Sequence, residues 1–150
     1  MIKYRLSAAI LFVASVASGQ NKFIQPEGLT KPTGYTHVVV SGGTIYMSGQ
    51  VSMNEKGEVI GKGDLRTQTQ QVFENISKCL KAVDATFADI AKMNTYVVNM
   101  KPEDLPVIRE VRMKYLNTEH PPASTLVGVT ALANPDLLIE IELIVTKKNK

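Results

Sequence analysis

The stretch Ile139-Glu140-Ile141-Glu142-Leu143-Ile144-Val145 constrains this chain more than any other. Side chains alternate across a strand, so Ile139, Ile141, Leu143 and Val145 share one face and Glu140 and Glu142 the other. An aliphatic row of that length has to be covered, and the sequence offers two amphipathic helices to cover it. From Leu65 to Val83 the residues Leu65, Val72, Phe73, Ile76, Leu80 and Val83 recur at helical spacing, with Gln, Glu and Lys between them. Leu105, Ile108, Val111 and Tyr115 mark a second helix, opened by Pro102-Glu103-Asp104.

Other segments read as strands. Lys22 to Ile24 is a short one. His37 to Val40 and Thr44 to Met47, separated by Ser41-Gly42-Gly43, form a hairpin, and Ser48-Gly49-Gln50 is expected to end its second strand. Ala91 to Met100 holds the β-favouring run Thr95-Tyr96-Val97-Val98, and Ala123 to Leu132 precedes a final strand, Leu137 to Thr146. Strands, helix, strand, helix, strands gives an α+β fold: a mixed sheet with two helices on one face. The Ala123–Leu132 strand carries little charge on either side, which predicts contact with another subunit.

The chain has 150 residues, 44% of them apolar, enough for one domain with its own core. Residues 1–19 read instead as a signal peptide: Lys3 and Arg5, an apolar run from Leu6 to Val16, then Ala17-Ser18-Gly19. Cleavage after Gly19 or Ala17 satisfies the small-residue rule; an uncleaved anchor is the alternative. The expectation is a single domain over 20–150, periplasmic or secreted and free of the membrane once processed. Removing Lys3 and Arg5 lowers the formal charge from +3 to about +1, which leaves no electrostatic footprint for nucleic acid. Lys147-Lys148-Asn149-Lys150 reads as a solubilising tail. The single cysteine, Cys79, sits in the first helical pattern as a small hydrophobe. His37 and His120 lie far apart with no partner at ligand spacing, so no metal site is expected. Asn75-Ile76-Ser77 matches a glycosylation sequon, but it falls in mid-helix.

Tyr35, Ser48-Gly49-Gln50, Asn75, Pro122-Ala123 and Ile139-Glu140-Ile141-Glu142 follow one another in an order and spacing that resembles the Rid proteins, the reactive intermediate deaminases of the RidA/YjgF type. The resemblance covers nearly everything after residue 19. It implies a chorismate-mutase-like subunit and a homotrimer with a small-molecule cleft between neighbouring subunits. Deaminating members hydrolyse short-lived enamines and imines, such as 2-aminoacrylate, to ketoacids and ammonia with no metal or organic cofactor. In them an arginine follows the Pro-Ala pair and grips the substrate carboxylate; here that residue is Ser124.

Carried over residue by residue, Tyr35 matches the family's cleft tyrosine, Ser48 its cleft serine and Glu140 its cleft glutamate. Tyr35 and Glu140 are the catalytic candidates, with Ser48, Ser124 and His37 as substrate-binding candidates. Glu140 and Glu142 lie about 6.6–6.8 Å apart along one strand face, and in a dry cleft one of them can hold a raised pKa and position water for addition to a C=N bond. His37 stands where family members commonly carry glutamine and is either an acid–base group or a polar loop residue. Arg109 and Arg112 are candidates to replace the missing arginine, or else solvated helix charges. A guanidinium meets carboxylate through two charge-assisted hydrogen bonds, whereas a serine hydroxyl supplies one neutral donor. The expected function is therefore hydrolysis of an imine or enamine other than a typical 2-imino acid. The alternative is a non-catalytic binding trimer that keeps the cleft but not the reaction.

Overall fold

The computed structural model describes residues 20–147. The expected signal segment, residues 1–19, and the end of the basic tail, residues 148–150, lie outside that range.

Six strands form one sheet in the order β1-β2-β3-β6-β4-β5: β1 Lys22–Ile24, β2 Val38–Ser41, β3 Thr44–Val51, β4 Ile90–Val98, β5 Ala123–Val129 and β6 Ile139–Thr146. The helices are α1, Leu65–Lys81, and α2, Asp104–Arg112. β3 and β4 both run antiparallel to β6, which is inserted between them, while β4 and β5 pair in parallel across α2. This is the expected mixed sheet with two helices. A single turn of 3-10 helix, Phe87–Asp89, leads into β4.

Local chemistry sets the boundaries. Gly42, at φ +57°, supplies the left-handed conformation that the two-residue β2–β3 turn requires. Asp64 caps α1 by accepting hydrogen bonds from the Arg66 and Thr67 backbone N–H groups. At the other end Asp84, at φ +48°, turns the chain back and lets the Ala85 N–H reach the Leu80 carbonyl at 2.9 Å. Val72, Phe73, Ile76 and Leu80 of α1 are buried with Ile139, Ile141, Leu143 and Val145 of β6, so the aliphatic row is the covered one. Cys79 is fully buried among them; desolvation pushes its thiol up to about 12, which makes it a poor nucleophile.

Several boundaries shift by one or two residues, and three differ more from the sequence expectation. α2 stops at Arg112, yet Tyr115 still joins the core from the following turn, stacking on Phe73 with ring centroids 4.8 Å apart. β5 ends at Val129 rather than Leu132. Ser48-Gly49-Gln50 does not terminate β3, which continues to Val51 through a bulge between Met47 and Gln50. Ser, Gly and Gln resemble a turn in sequence, but the bulge absorbs them and keeps Gln50 and Val51 paired to β6.

Gln68 ties α1 to the entry of β6. Fully buried, it donates to the Gly61 and Asp136 carbonyls at 3.2 and 2.7 Å and accepts from the Leu138 N–H at 2.8 Å. Gln68→Leu would strand the Asp136 carbonyl and the Leu138 N–H, while the Gly61 carbonyl keeps the Asp64 N–H as donor, and the expected loss is on the order of 3 kcal/mol. Urea unfolding followed by circular dichroism measures it; a change within about 0.5 kcal/mol, the range of ordinary surface substitutions, would contradict this role.

Candidate active site on the open face of the sheet

The face of the sheet away from the helices carries Glu140 and Glu142. Register places Val51 and Tyr96 on either side of Glu140, with Val127 beyond Tyr96; Asn94 lies beside Glu142, with Thr125 beyond it. The two carboxylates share a strand and a half-buried setting, yet their partners differ.

Glu142 is clamped. Its Oε1 accepts from Asn94 Nδ2 at 2.7 Å and from the Tyr96 hydroxyl at 2.9 Å, two donors that hold it in place. The same contact pushes the Tyr96 phenol above its ordinary range, so Tyr96 stays a neutral donor. Glu140 receives no hydrogen bond within the described residues. Burial raises its carboxyl above the usual glutamate range, and the neighbouring Glu142 charge raises it further. The Glu140 carboxyl lies directly over Gly49, where a Cβ would overlap it. The glycine of the bulge is thus the floor on which Glu140 rests.

Behind Gly49 is a cavity of about 20 Å³, lined in part by Tyr35, His37, Gln50 and Asn75. It is about large enough for one water molecule. Tyr35 is half exposed and meets the His37 ring edge-on at 5.2 Å. Tyr35 thus lines the cavity that Gly49 also lines, and Glu140 lies over that glycine. Ser48 belongs to the same corner, since its backbone N–H donates to the His37 carbonyl at 3.0 Å and its hydroxyl and carbonyl face Gln50 Nε2.

His37 is buried and both ring nitrogens are engaged. Nε2 must carry a hydrogen to reach the Thr30 carbonyl at 3.0 Å, and Gln50 Nε2 donates to Nδ1 at 3.2 Å while also donating to the Ser48 carbonyl. The imidazole thus acts as a spacer between Thr30 and Gln50, with Tyr35 packed against its ring. Asn75 is likewise committed: its amide donates to the Val51 and Met53 carbonyls, anchoring the end of β3 from inside the core.

Ser124 stands apart. It pairs with Met93, whose side chain is buried under the helices, so within one subunit Ser124 is on the opposite side of the sheet from Glu140. It lies exposed on the edge strand. Arg109 and Arg112 sit on α2, also away from the carboxylates. The sequence reading missed Asn94, Tyr96 and Lys92, which follow each other at period two on β4; Lys92 Nζ donates to Thr125 Oγ1 at 2.6 Å. Their alternation with Met93, Thr95 and Val97 is visible in sequence, but pairing to Glu142 is not.

Comparison with known proteins gives a consistent result. The model of a family described as Endoribonuclease L-PSP matches residues 28–147. A RutC family protein of Pyrococcus horikoshii is 36% identical over 123 residues, 81% of this chain and 94% of the relative. A 2-iminobutanoate/2-iminopropanoate deaminase of the mite Dermatophagoides farinae is 34% identical over 111 residues, covering 74% and 84%. Among solved structures, RidA from an Antarctic Psychrobacter superposes with a TM-score of 0.76 at 30% identity, over 84% of this chain and 99% of that one.

Proposed function

Since the chain belongs to the Endoribonuclease L-PSP family, the RidA-type proteins, we propose that it is an exported homotrimer that hydrolyses a small imine or enamine in a cleft between subunits. The observation that carries this reading is the pair of unlike carboxylates. Glu142 is held by two donors, while Glu140 is desolvated, accepts no hydrogen bond within the described residues, and is held over Gly49. Such a carboxyl can pass its proton to the nitrogen of a C=N bond as water adds to the carbon. The resulting carboxylate takes back a proton from the added water to leave a carbinolamine; the same carboxyl then protonates the amine nitrogen and accepts the hydroxyl proton as the C–N bond breaks, so that a carbonyl compound and ammonia leave. No cofactor is needed for these steps. Ser124 in place of the family arginine supports a substrate other than a typical 2-imino acid, because no guanidinium is available there to hold a carboxylate.

The ribonuclease in the family's description has less support. A formal charge near +1 after loss of residues 1–19 provides little to hold a phosphate chain. A binding trimer without catalysis is favoured by one observation, the neutral Ser124. The deciding experiment is a screen for ammonia release from freshly generated imines, neutral ones included, with Glu140→Ala as control. Release that depends on Glu140 supports catalysis; binding without release supports the alternative.

Subunit contact is supported by a cross-sheet row on the open face, Phe23-Val39-Tyr46-Ile144, in which Phe23 is 69% and Tyr46 49% exposed in the isolated chain. Light scattering is expected to report three times the subunit mass. Mass spectrometry of protein from its native host should find Gln20 or Ser18 as the first residue. A stable monomer at micromolar concentration removes the intersubunit cleft, and an intact Met1 in the cytosol removes export.

A further inference from the structure

Resting on the proposed hydrolysis, the geometry of the carboxylate pair points to a second residue that controls it. We propose that Glu142, held by Asn94 and Tyr96, is a positioning residue that keeps the neighbouring Glu140 carboxyl protonated and able to donate. Three features carry this. Glu142 is on the same strand face as Glu140, one alternation away. Both donors reach a single oxygen of Glu142, at 2.7 and 2.9 Å, so its charge is anchored in place. Glu140 has no donor among the described residues and rests on Gly49, where only a residue without a side chain leaves it room.

The other groups around Glu140 do not replace this effect. From β4, Tyr96 faces it as a neutral phenol, and Lys92 lies two alternations further along, committed to Thr125. From β3 come Gly49 and Val51, which do not titrate, with His37 behind Gly49 already engaged at both nitrogens. From β5, Thr125 and Val127 lie beyond β4 and carry no charge. Glu142 is then the one fixed charge beside Glu140 among the described residues. It disfavours a second negative charge there, and burial acts in the same direction. A general acid works below its pKa, so activity should persist to higher pH than an ordinary glutamate allows and fall as pH rises through the Glu140 titration.

Carbon-13 NMR of the side-chain carboxyls in the full assembled protein tests this, with Glu140→Gln identifying the resonance. In wild type, Glu140 should titrate above an ordinary glutamate. Glu142→Gln keeps the shape and the acceptor oxygen but removes the charge, and it should shift the Glu140 midpoint down. Tyr96→Phe removes one of the two anchors, leaves the Glu142 carboxylate less fixed beside Glu140, and should give a smaller downward shift. Where ammonia release is measurable, the alkaline limb of its pH profile should move down in parallel. An ordinary Glu140 titration in wild type, or a midpoint unmoved in both variants, overturns the inference. Failure to release ammonia from any imine counts against the proposed hydrolysis alone, since the NMR titration does not depend on turnover.

Discussion

Replacing Glu140 with glutamine is expected to cut ammonia release about 100- to 10,000-fold, the usual contribution of a positioned acid–base group, without loosening the fold. Glutamine cannot supply an acidic proton to nitrogen or recover one from water. Stability should hold or rise, because Glu140 accepts no hydrogen bond within the described residues and its removal strands no partner. The sign follows from linkage. A carboxyl raised in the folded protein costs stability once pH passes its unfolded value, and that cost grows until pH passes the folded value. Glu140→Gln removes this cost at neutral pH and above. Steady-state kinetics and urea midpoints on one preparation give both readings; unchanged turnover would remove Glu140 from the chemistry.

Ser124→Arg is expected to improve hydrolysis of 2-aminoacrylate-type imino acids by at most about 10- to 150-fold, from the roughly 1.5–3 kcal/mol of a charged hydrogen bond. The position sets a condition on that gain. Ser124 lies on the opposite side of the sheet from Glu140 in its own subunit, on the edge strand. An arginine there serves a substrate at Glu140 only by reaching round that edge or into the cleft of a neighbouring subunit. The gain should therefore vanish in a variant that remains monomeric, such as one carrying Tyr46→Asp in the exposed apolar row. Wild-type activity on imino acids equal to that of an arginine-bearing relative would mean another cation already serves. Lys92 then becomes the first to replace, because it shares the open face with the carboxylates, whereas Arg109 and Arg112 do not.

The helices and the last strand were legible because each is governed by spacing within one segment. Alternation in β6 separates Ile139, Ile141, Leu143 and Val145 from the two glutamates, and burial follows that division. The α1 pattern likewise identifies its buried stripe. Where a segment's role depends on what crosses it, local reading failed. Ser48-Gly49-Gln50 has the composition of a strand end, and only the register with β6 shows it to be a bulge beneath Glu140. His37 has the chemistry of an acid–base residue in isolation, while its contacts with Thr30 and Gln50 make it a buried spacer.

Sequence by itself determined which residues of β6 face the core and that two carboxylates share its other face, since alternation on one strand requires no partner. It also determined that Ser124 carries no charge. Only the tertiary structure decided that these carboxylates differ: β4 brings Asn94 and Tyr96 to Glu142, and β3 brings Gly49 beneath Glu140. β3 and β4 flank β6 in the sheet although nearly forty residues, including all of α1, separate them in the chain. The donors that stabilise a charge and the burial that disfavours one come from those neighbouring strands, and their register with β6 is set by packing across the whole sheet.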